Sequence, residues 1–373
     1  MEFIDTKQKR TVKCSLKCKL INCQTEVCLS LNMSRFVLVT GGAGYIGSHT
    51  VVSLLENGYT PVIADDFRNA DERVLNGLEQ ITKKTVLCER VNICDPNQLA
   101  TIFEKYAFSG VIHFAAFKAV GESVAKPLDY YQNNLLGLIN VLKCMLQFNV
   151  QQFVFSSSCT VYGEPKGLHE VDENTPKNLP NSPYGYTKWI GEQIIEDTFR
   201  ANPHLKLMSL RYFNPVGAHP SGLIGEFPIG KPNNLLPYIT GTAIGRQEKL
   251  TVFGNNYATP DGTCIRDYIH VVDLADAHVK ALQYLEENEL TEVEIINIGT
   301  GKGSSVLEII DAFETNCEIK LNWEFGPRRP GDVTEIYANT AKAEKVLGWK
   351  AKHSIADAVK DAWRWEKYYE SLA

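Results

Sequence analysis

Phe36-Val37-Leu38-Val39-Thr40 runs directly into Gly41-Gly42-Ala43-Gly44-Tyr45-Ile46-Gly47, and the reading of that junction decides the fold. The first five residues are an apolar run of strand type. The glycines after it let a backbone turn tightly and come close to a pyrophosphate. Ile46, Thr50, Val51, Leu54 and Leu55 then recur at helical spacing until Asn57-Gly58 stops the pattern. Strand, glycine loop and helix in this order put free N–H groups and the positive end of a helix dipole where a phosphate would lie. A second strand, Pro61-Val62-Ile63-Ala64, delivers Asp65 and Asp66. Their distance from the loop, about twenty residues, is that of an acidic side chain binding an adenosine ribose 2′-hydroxyl. A carboxylate there repels a 2′-phosphate, so the pattern favours NAD over NADP.

Strands and helices continue to alternate outward from this unit. Thr85-Val86-Leu87-Cys88 and Val111-Ile112-His113-Phe114-Ala115-Ala116 read as strands, separated by a helix carrying Leu99, Ile102, Phe103 and Tyr106. Leu135, Leu138, Ile139, Leu142, Met145 and Leu146 mark an amphipathic helix, and Phe153-Val154-Phe155 starts a strand ending at Ser156-Ser157-Ser158. The alternation implies an α/β fold, a Rossmann-type doubly wound parallel sheet with right-handed crossovers. From about Asn214, Pro and Gly interrupt the pattern, which predicts a smaller substrate-binding region over 214–373 beside a nucleotide domain over 34–213. Asp267 to Leu274 and Asn297 to Gly301 return to the texture of the sheet, so the two regions are expected to interleave.

Asn181-Ser182-Pro183-Tyr184-Gly185-Tyr186-Thr187-Lys188 has the make-up of a proton-transfer helix. Ser182 can cap it, and Pro183 suits its first turn. Tyr184 and Lys188 are four apart and share a face, whereas Tyr186 faces elsewhere. A free phenol has a pKa of about 10, and service as a base near neutrality requires a drop of about 3 units. One cation supplies about 1 to 3 units, so Lys188 is marginal alone and a cationic nicotinamide would close the gap. In doubly wound folds ligands bind at the carboxyl ends of strands, so the glycine loop, the serines and this helix should converge.

The chain has 373 residues, 44% of them hydrophobic, and a net charge of −6. That balance argues against a sequence-independent grip on nucleic acid or anionic membranes. Residues 1–34 differ, with six Lys or Arg against three acids and four cysteines at 14, 18, 23 and 28, in no trusted zinc spacing. We expect 1–33 to be a disordered extension. The cysteines at 88, 94, 144, 159, 264 and 317 read as reduced cytosolic thiols, and no metal is expected. His113, inside an apolar strand, reads as a packed residue.

From Ser34 to Tyr368 the chain resembles the extended short-chain dehydrogenase/reductase superfamily, and within it the UDP-hexose 4-epimerases. The resemblance is carried by Thr40 to His49, Phe114 to Ser123, Ser156 to Gly163, Arg211-Tyr212-Phe213-Asn214-Pro215, Asn233-Asn234-Leu235, Asp261-Gly262-Thr263, Arg266 to Val271, and Arg329 to Asp332. It implies a tightly held NAD, recycled in each turnover, and reversible conversion of UDP-glucose and UDP-galactose through a 4-keto sugar, with Tyr184 exchanging the 4-hydroxyl proton. By matching positions, Gly41, Gly44, Tyr45, Ile46, Gly47, Asp65, Asn92, Ile93, Phe114, Lys118, Tyr184, Lys188 and Tyr212 should hold NAD. Asn92 departs from the usual Asp, although its amide oxygen still accepts a hydrogen bond. Ser158 and Thr160 should hydrogen-bond O4. Lys118, Asn214, Asn233, Asn234, Leu235, Arg266, Arg329 and Asp332 should hold the nucleotide sugar, while Tyr257, Tyr268 and Tyr337 are expected to pack.

Within the superfamily, Cys159 and Thr160 stand where dehydratases and decarboxylases carry acids, which disfavours elimination. Epimerases of UDP-pentoses or UDP-uronates and a non-catalytic NAD sensor are the alternatives. Ile336, at a position that governs sugar size, implies slow conversion of N-acetylated UDP-sugars. The resemblance also implies a cytoplasmic homodimer paired through the Leu135–Leu146 and Tyr184 helices.

Overall fold

Val37 and Val39 point to one side of the first strand and Leu38 to the other, and all three are fully buried. Both faces of that strand must therefore be covered, as in a parallel sheet with helices on each side. The computed structural model describes residues 35–372 except 166, 229, 231, 233, 330 and 331. The expected extension, 1–33, lies outside the described residues.

The strand β1 (Phe36–Thr40) lies inside a seven-stranded sheet. β2 (Thr60–Asp65) and β3 (Leu87–Arg90) extend it to one side; β4 (Phe108–His113), β5 (Gln152–Ser158), Lys206–Tyr212 and Glu294–Ile298 extend it to the other. Every pairing in it is parallel. The order reverses direction between β1 and β4, so a crevice opens there at the carboxyl ends. The doubly wound sheet read from the sequence is the one observed.

Val37, Val39 and Ile63 join Leu54 and Leu55 of the helix α1 (Tyr45–Glu56) and Leu274 and Leu282 of the helix Val271–Glu287 in one core. Leu38, Val62 and Val111 join Leu138 and Met145 of the helix Pro127–Gln147 and Ile195 of the helix Pro183–Ala201 in another. Burying each such side chain contributes about 1.5–3 kcal/mol.

Two strands differ from their sequence reading. β3 starts two residues later than expected and ends on Glu89-Arg90, in register with Ala64-Asp65. It is the edge of the sheet, where solvent tolerates polar residues that no apolar pattern marks. β4 ends at His113, because the N–H groups of Phe114 and Ala115 both turn to the Thr40 carbonyl at 3.0 and 3.1 Å. His113 itself is packed near Phe153 and Phe155, with Nδ1 2.8 Å from the Thr40 hydroxyl.

Of the two later stretches read as sheet material, Asn297-Ile298 ends the last central strand. Tyr268–His270 instead pairs in parallel with Asn214–Val216, outside the central sheet. A further core of Leu236, Ile239, Phe313 and Val359 joins the helices Leu235–Ala243, Val306–Cys317 and Ile355–Glu370. Among the described residues no helix is long and apolar enough to cross a membrane.

Candidate active site

Gly41 leaves β1 with φ +69°, and a Cβ there would lie 2.7 Å from the Ala115 nitrogen. A Cβ on Gly47 would come within 2.3 Å of the Gly41 carbonyl oxygen, so the first turn of α1 sits directly on the loop. Gly44 caps α1 with extended backbone and no side-chain cap among the described residues. The N-terminus of α1 is therefore left to a ligand, as a dinucleotide cradle requires. Asp65, at the end of β2, accepts from Ala43 N at 3.1 Å and Phe67 N at 2.9 Å. Burial pushes its carboxyl up, against the lowering effect of those hydrogen bonds. It clamps the glycine loop and, using two of about four acceptor sites, keeps capacity for a ribose hydroxyl. Asp66 is taken by Arg68 at 2.6 Å.

Tyr45 and Ile46 open α1, and the Tyr45 hydroxyl donates to the Gly217 carbonyl at 2.7 Å. The Phe114 ring lies 4.6 Å from that of His278. The Asn92 side-chain oxygen accepts from Cys94 N at 3.0 Å, and the Ile93 carbonyl accepts from Asn140 at 3.1 Å. The Asn92 oxygen therefore shapes a local turn.

Ser182 caps the helix Pro183–Ala201 by accepting from Gly185 N at 3.2 Å. Burial pushes the Tyr184 phenol up to about 12, against the lowering influence of the neighbouring Ser158 hydroxyl. The Ser158 oxygen accepts from Thr160 N at 3.2 Å and from the Thr160 hydroxyl at 3.1 Å. With both lone pairs engaged, the one Ser158 hydrogen is free to donate, and Tyr184 and Cys159 both feel it as a lowering influence.

Lys188 shares the Tyr184 face, but its Nζ donates to the Ser156 carbonyl at 2.6 Å and lies 6.0 Å from the Tyr184 ring centre. Burial pushes its ammonium down to about 7. Ser156 also bonds the Tyr212 hydroxyl. Bringing the phenol from about 12 to neutrality corresponds to roughly 7 kcal/mol. One cation supplies about 1 to 3 units, so the chain's own groups prepare a phenolate without forming it. A positive charge brought to the site by a ligand would lower the phenol further.

Glu192 is one turn past Lys188. It receives Arg211 Nε and Nη2 at 2.8 and 2.7 Å, the Ser157 hydroxyl at 2.6 Å and Lys177 at 3.2 Å. Both Glu192 and Arg211 are 1% exposed. Burial pushes the Glu192 carboxyl up, but Arg211, Lys177 and Ser157 outweigh it and hold it below its ordinary value. This pair, absent from the sequence reading, ties the helix carrying Tyr184 to the ends of two strands.

Asn214 opens the short strand beside Tyr268, and its buried Oδ1 has no hydrogen-bond partner among the described residues. Arg266 lies 3.9 Å from Asp332 and donates to the Ile265 carbonyl at 2.9 Å. Arg329 is exposed and stands 4.6 Å over the Phe253 ring, so the two arginines have different partners. Leu235 begins a helix that Asn234 caps, and Asn233 lies outside the described residues. Tyr257 and Tyr268 are buried and Tyr337 is half-buried. Ile336 is buried in a cluster with Phe213 and Cys159.

Lys118 donates to Glu226 at 2.8 Å, and Asn234 donates to the same oxygen at 2.7 Å. Sequence reading missed Glu226. Its signal was there, as the only carboxylate between Asp197 and Glu248.

The family model described as GDP-mannose 4,6 dehydratase matches residues 38–362. UDP-glucose 4-epimerase 2 of Arabidopsis thaliana is 48% identical over 336 residues, covering 89% of this chain and 95% of the relative. The crystal structure of a Stenotrophomonas maltophila UDP-glucose 4-epimerase, with bound NAD and formylated UDP-arabinopyranose, matches with a TM-score of 0.88 at 43% identity. That match covers 91% of this chain and all of the other. A Bifidobacterium longum UDP-glucose 4-epimerase in complex with NAD+ and UDP matches with a TM-score of 0.86 at 45% identity, over 90% and 99% of the two chains.

Proposed function

The chain belongs to the UDP-glucose 4-epimerases, within the wider family matched over residues 38–362, and on that premise we propose that it interconverts UDP-glucose and UDP-galactose using tightly held NAD. The observation that carries the proposal is the buried Tyr184 phenol beside the hydrogen-bonded Ser158 and Thr160 hydroxyls, on the helix that also buries Lys188. The C4–H of a hexose is not next to a carbonyl, so deprotonation alone cannot invert that centre, and oxidation has to come first. NAD, when bound, would supply reversible hydride acceptance at C4, and its positive ring would favour the phenolate of the buried Tyr184.

We assign the cofactor to Gly41, Gly44, Tyr45, Ile46, Gly47, Asp65, Asn92, Ile93, Phe114, Lys118 and Tyr212. The glycine cradle, closed to any Cβ at Gly41 and Gly47, supports that assignment. Tyr184 takes the 4-hydroxyl proton and later returns it, Ser158 stands beside the phenolate, and Lys188 is held at the strand end by its bond to the Ser156 carbonyl. Asn214, Asn233, Asn234, Leu235, Arg266, Arg329 and Asp332 hold the UDP handle, so the keto sugar can turn over without leaving. The unpartnered Asn214 oxygen supports a polar ligand there.

The test is conversion of UDP-galactose to UDP-glucose without added NAD or reductant. Conversion confined to UDP-pentoses would replace the proposal, and the sugar in the Stenotrophomonas complex makes that the second reading. Ile336, buried beside Cys159, leaves room for slower turnover of N-acetylated UDP-sugars. We further propose a cytoplasmic homodimer. The free cysteines suit a reducing compartment, and exposed Val124 and Leu128 sit by the start of the helix Pro127–Gln147. Light scattering checks the dimer.

A further inference from the structure

Glu226 joins two halves of the site through one atom. Its Oε1 accepts from Lys118 Nζ at 2.8 Å and from Asn234 Nδ2 at 2.7 Å. Lys118 follows β4 on the cofactor side, with its ammonium 5.7 Å from the Tyr45 ring centre. Asn234 caps the helix Leu235–Ala243 on the nucleotide-sugar side. The Glu226 side chain is only 10% exposed, while that of Lys118 is 58% exposed. Its backbone is anchored as well, because Trp365 Nε1 of the carboxy-terminal helix donates to the Glu226 carbonyl at 3.0 Å. A fixed carboxylate therefore restrains a long, otherwise mobile lysine and an amide from a different part of the chain. Two donors on a single oxygen make their positions depend on each other.

We propose that Glu226 is a positioning residue that fixes Lys118 relative to Asn234, and so sets the cation on the cofactor side in register with the polar group on the nucleotide-sugar side. The inference rests on the function proposed above. An ion pair as exposed as this contributes little to stability, so its value lies in geometry. Glutamine at 226 has the same shape, and its amide oxygen has lone pairs for both donors, but without the carboxylate charge it holds the ammonium and the Asn234 amide more weakly.

The test is a double-variant cycle on the protein with its co-purified cofactor, using Glu226→Gln, Lys118→Met and the pair. Each is read by kcat and KM for UDP-galactose and by the calorimetric affinity for UDP. If Glu226 acts through Lys118, Glu226→Gln lowers kcat roughly tenfold at an unchanged melting temperature, and adding it to Lys118→Met lowers kcat no further. Glu226→Gln also weakens UDP, through Asn234, in either background. Independent losses in kcat that multiply, or a Glu226→Gln variant with wild-type kcat and UDP affinity, overturn the proposal. If the wild-type protein converts no UDP-galactose, the proposed function fails separately. UDP affinity then decides the tether, and loss in Glu226→Gln keeps it while wild-type affinity overturns it.

Discussion

Replacing Glu192 by Leu should be among the most damaging single changes outside the reacting groups. Arg211 would keep its charge at 1% exposure and lose both carboxylate hydrogen bonds, at 2.8 and 2.7 Å. The Tyr162 hydroxyl, 3.1 Å away, is too weak an acceptor to replace them. Leaving a buried charge uncompensated costs about 3–5 kcal/mol. Unfolding entropy for a body of this size is roughly 0.7 kcal/mol per degree, so the melting temperature should fall by about 4–7 °C.

Replacing both members, as Glu192→Leu with Arg211→Met, should cost less than the sum of the singles, since no orphaned charge remains. The pH dependence carries a sign. Glu192 is held below its ordinary pKa, so its stabilisation is fully present above the unfolded value of about 4.3 and is lost as pH falls through the folded value. Calorimetry across that acid range should show a shallower loss in the double variant than in the wild type. A Glu192→Leu shift under about 1 °C, or strict additivity in the double, would refute the reasoning.

Gly41→Ala meets the Ala115 nitrogen at 2.7 Å with φ at +69°, whereas Gly58→Ala at φ +79° meets nothing within 4 Å. The second should cost about 1–2 kcal/mol, and the first should cost more and also strip NAD from the purified protein; equal effects in melting and cofactor content would count against the cradle. Lys188, pushed down to about 7 by burial, binds no proton in the folded cofactor-free chain above that pH, while the unfolded chain still binds one up to about 10.4. Stability of that form should therefore rise with pH across this window, and Lys188→Met should abolish the rise and gain up to roughly 4–5 kcal/mol below it, as read by urea unfolding at several pH values. Removing residues 1–32 should leave turnover unchanged, and an inactive truncation would give that segment a role.

The glycine junction was legible because its constraints are local, with strand, turn, helix start and acidic residue following one another along about thirty residues. The proton-transfer helix was legible for the same reason, since Ser182, Pro183, Tyr184 and Lys188 fall within two turns. Periodicity says which side chains share a face but not how deeply they lie. The sequence therefore placed Tyr184 beside a cation, while burial in the fold raises its phenol and lowers Lys188. β3 was misplaced because an edge strand needs no apolar pattern. Phe114 continues an apolar run and its N–H still bonds the Thr40 carbonyl of β1, but the Ala115 N–H falls on the same oxygen and the regular ladder stops there. Glu226 stood out only as an isolated carboxylate, and its link to Lys118, like that of Glu192 to Arg211, joins residues 108 and 19 apart that no spacing rule pairs.

The most direct test compares wild type with Tyr184→Phe in a single turnover of UDP-galactose on enzyme-held cofactor, following UDP-glucose and the near-ultraviolet absorbance of reduced nicotinamide. The account predicts UDP-glucose from the wild type, and from the variant a rate lower by roughly 10² or more with the cofactor still bound and the fold intact. Wild-type rates in Tyr184→Phe would contradict it, because the buried phenol beside Ser158 would then be a group the reaction does not use.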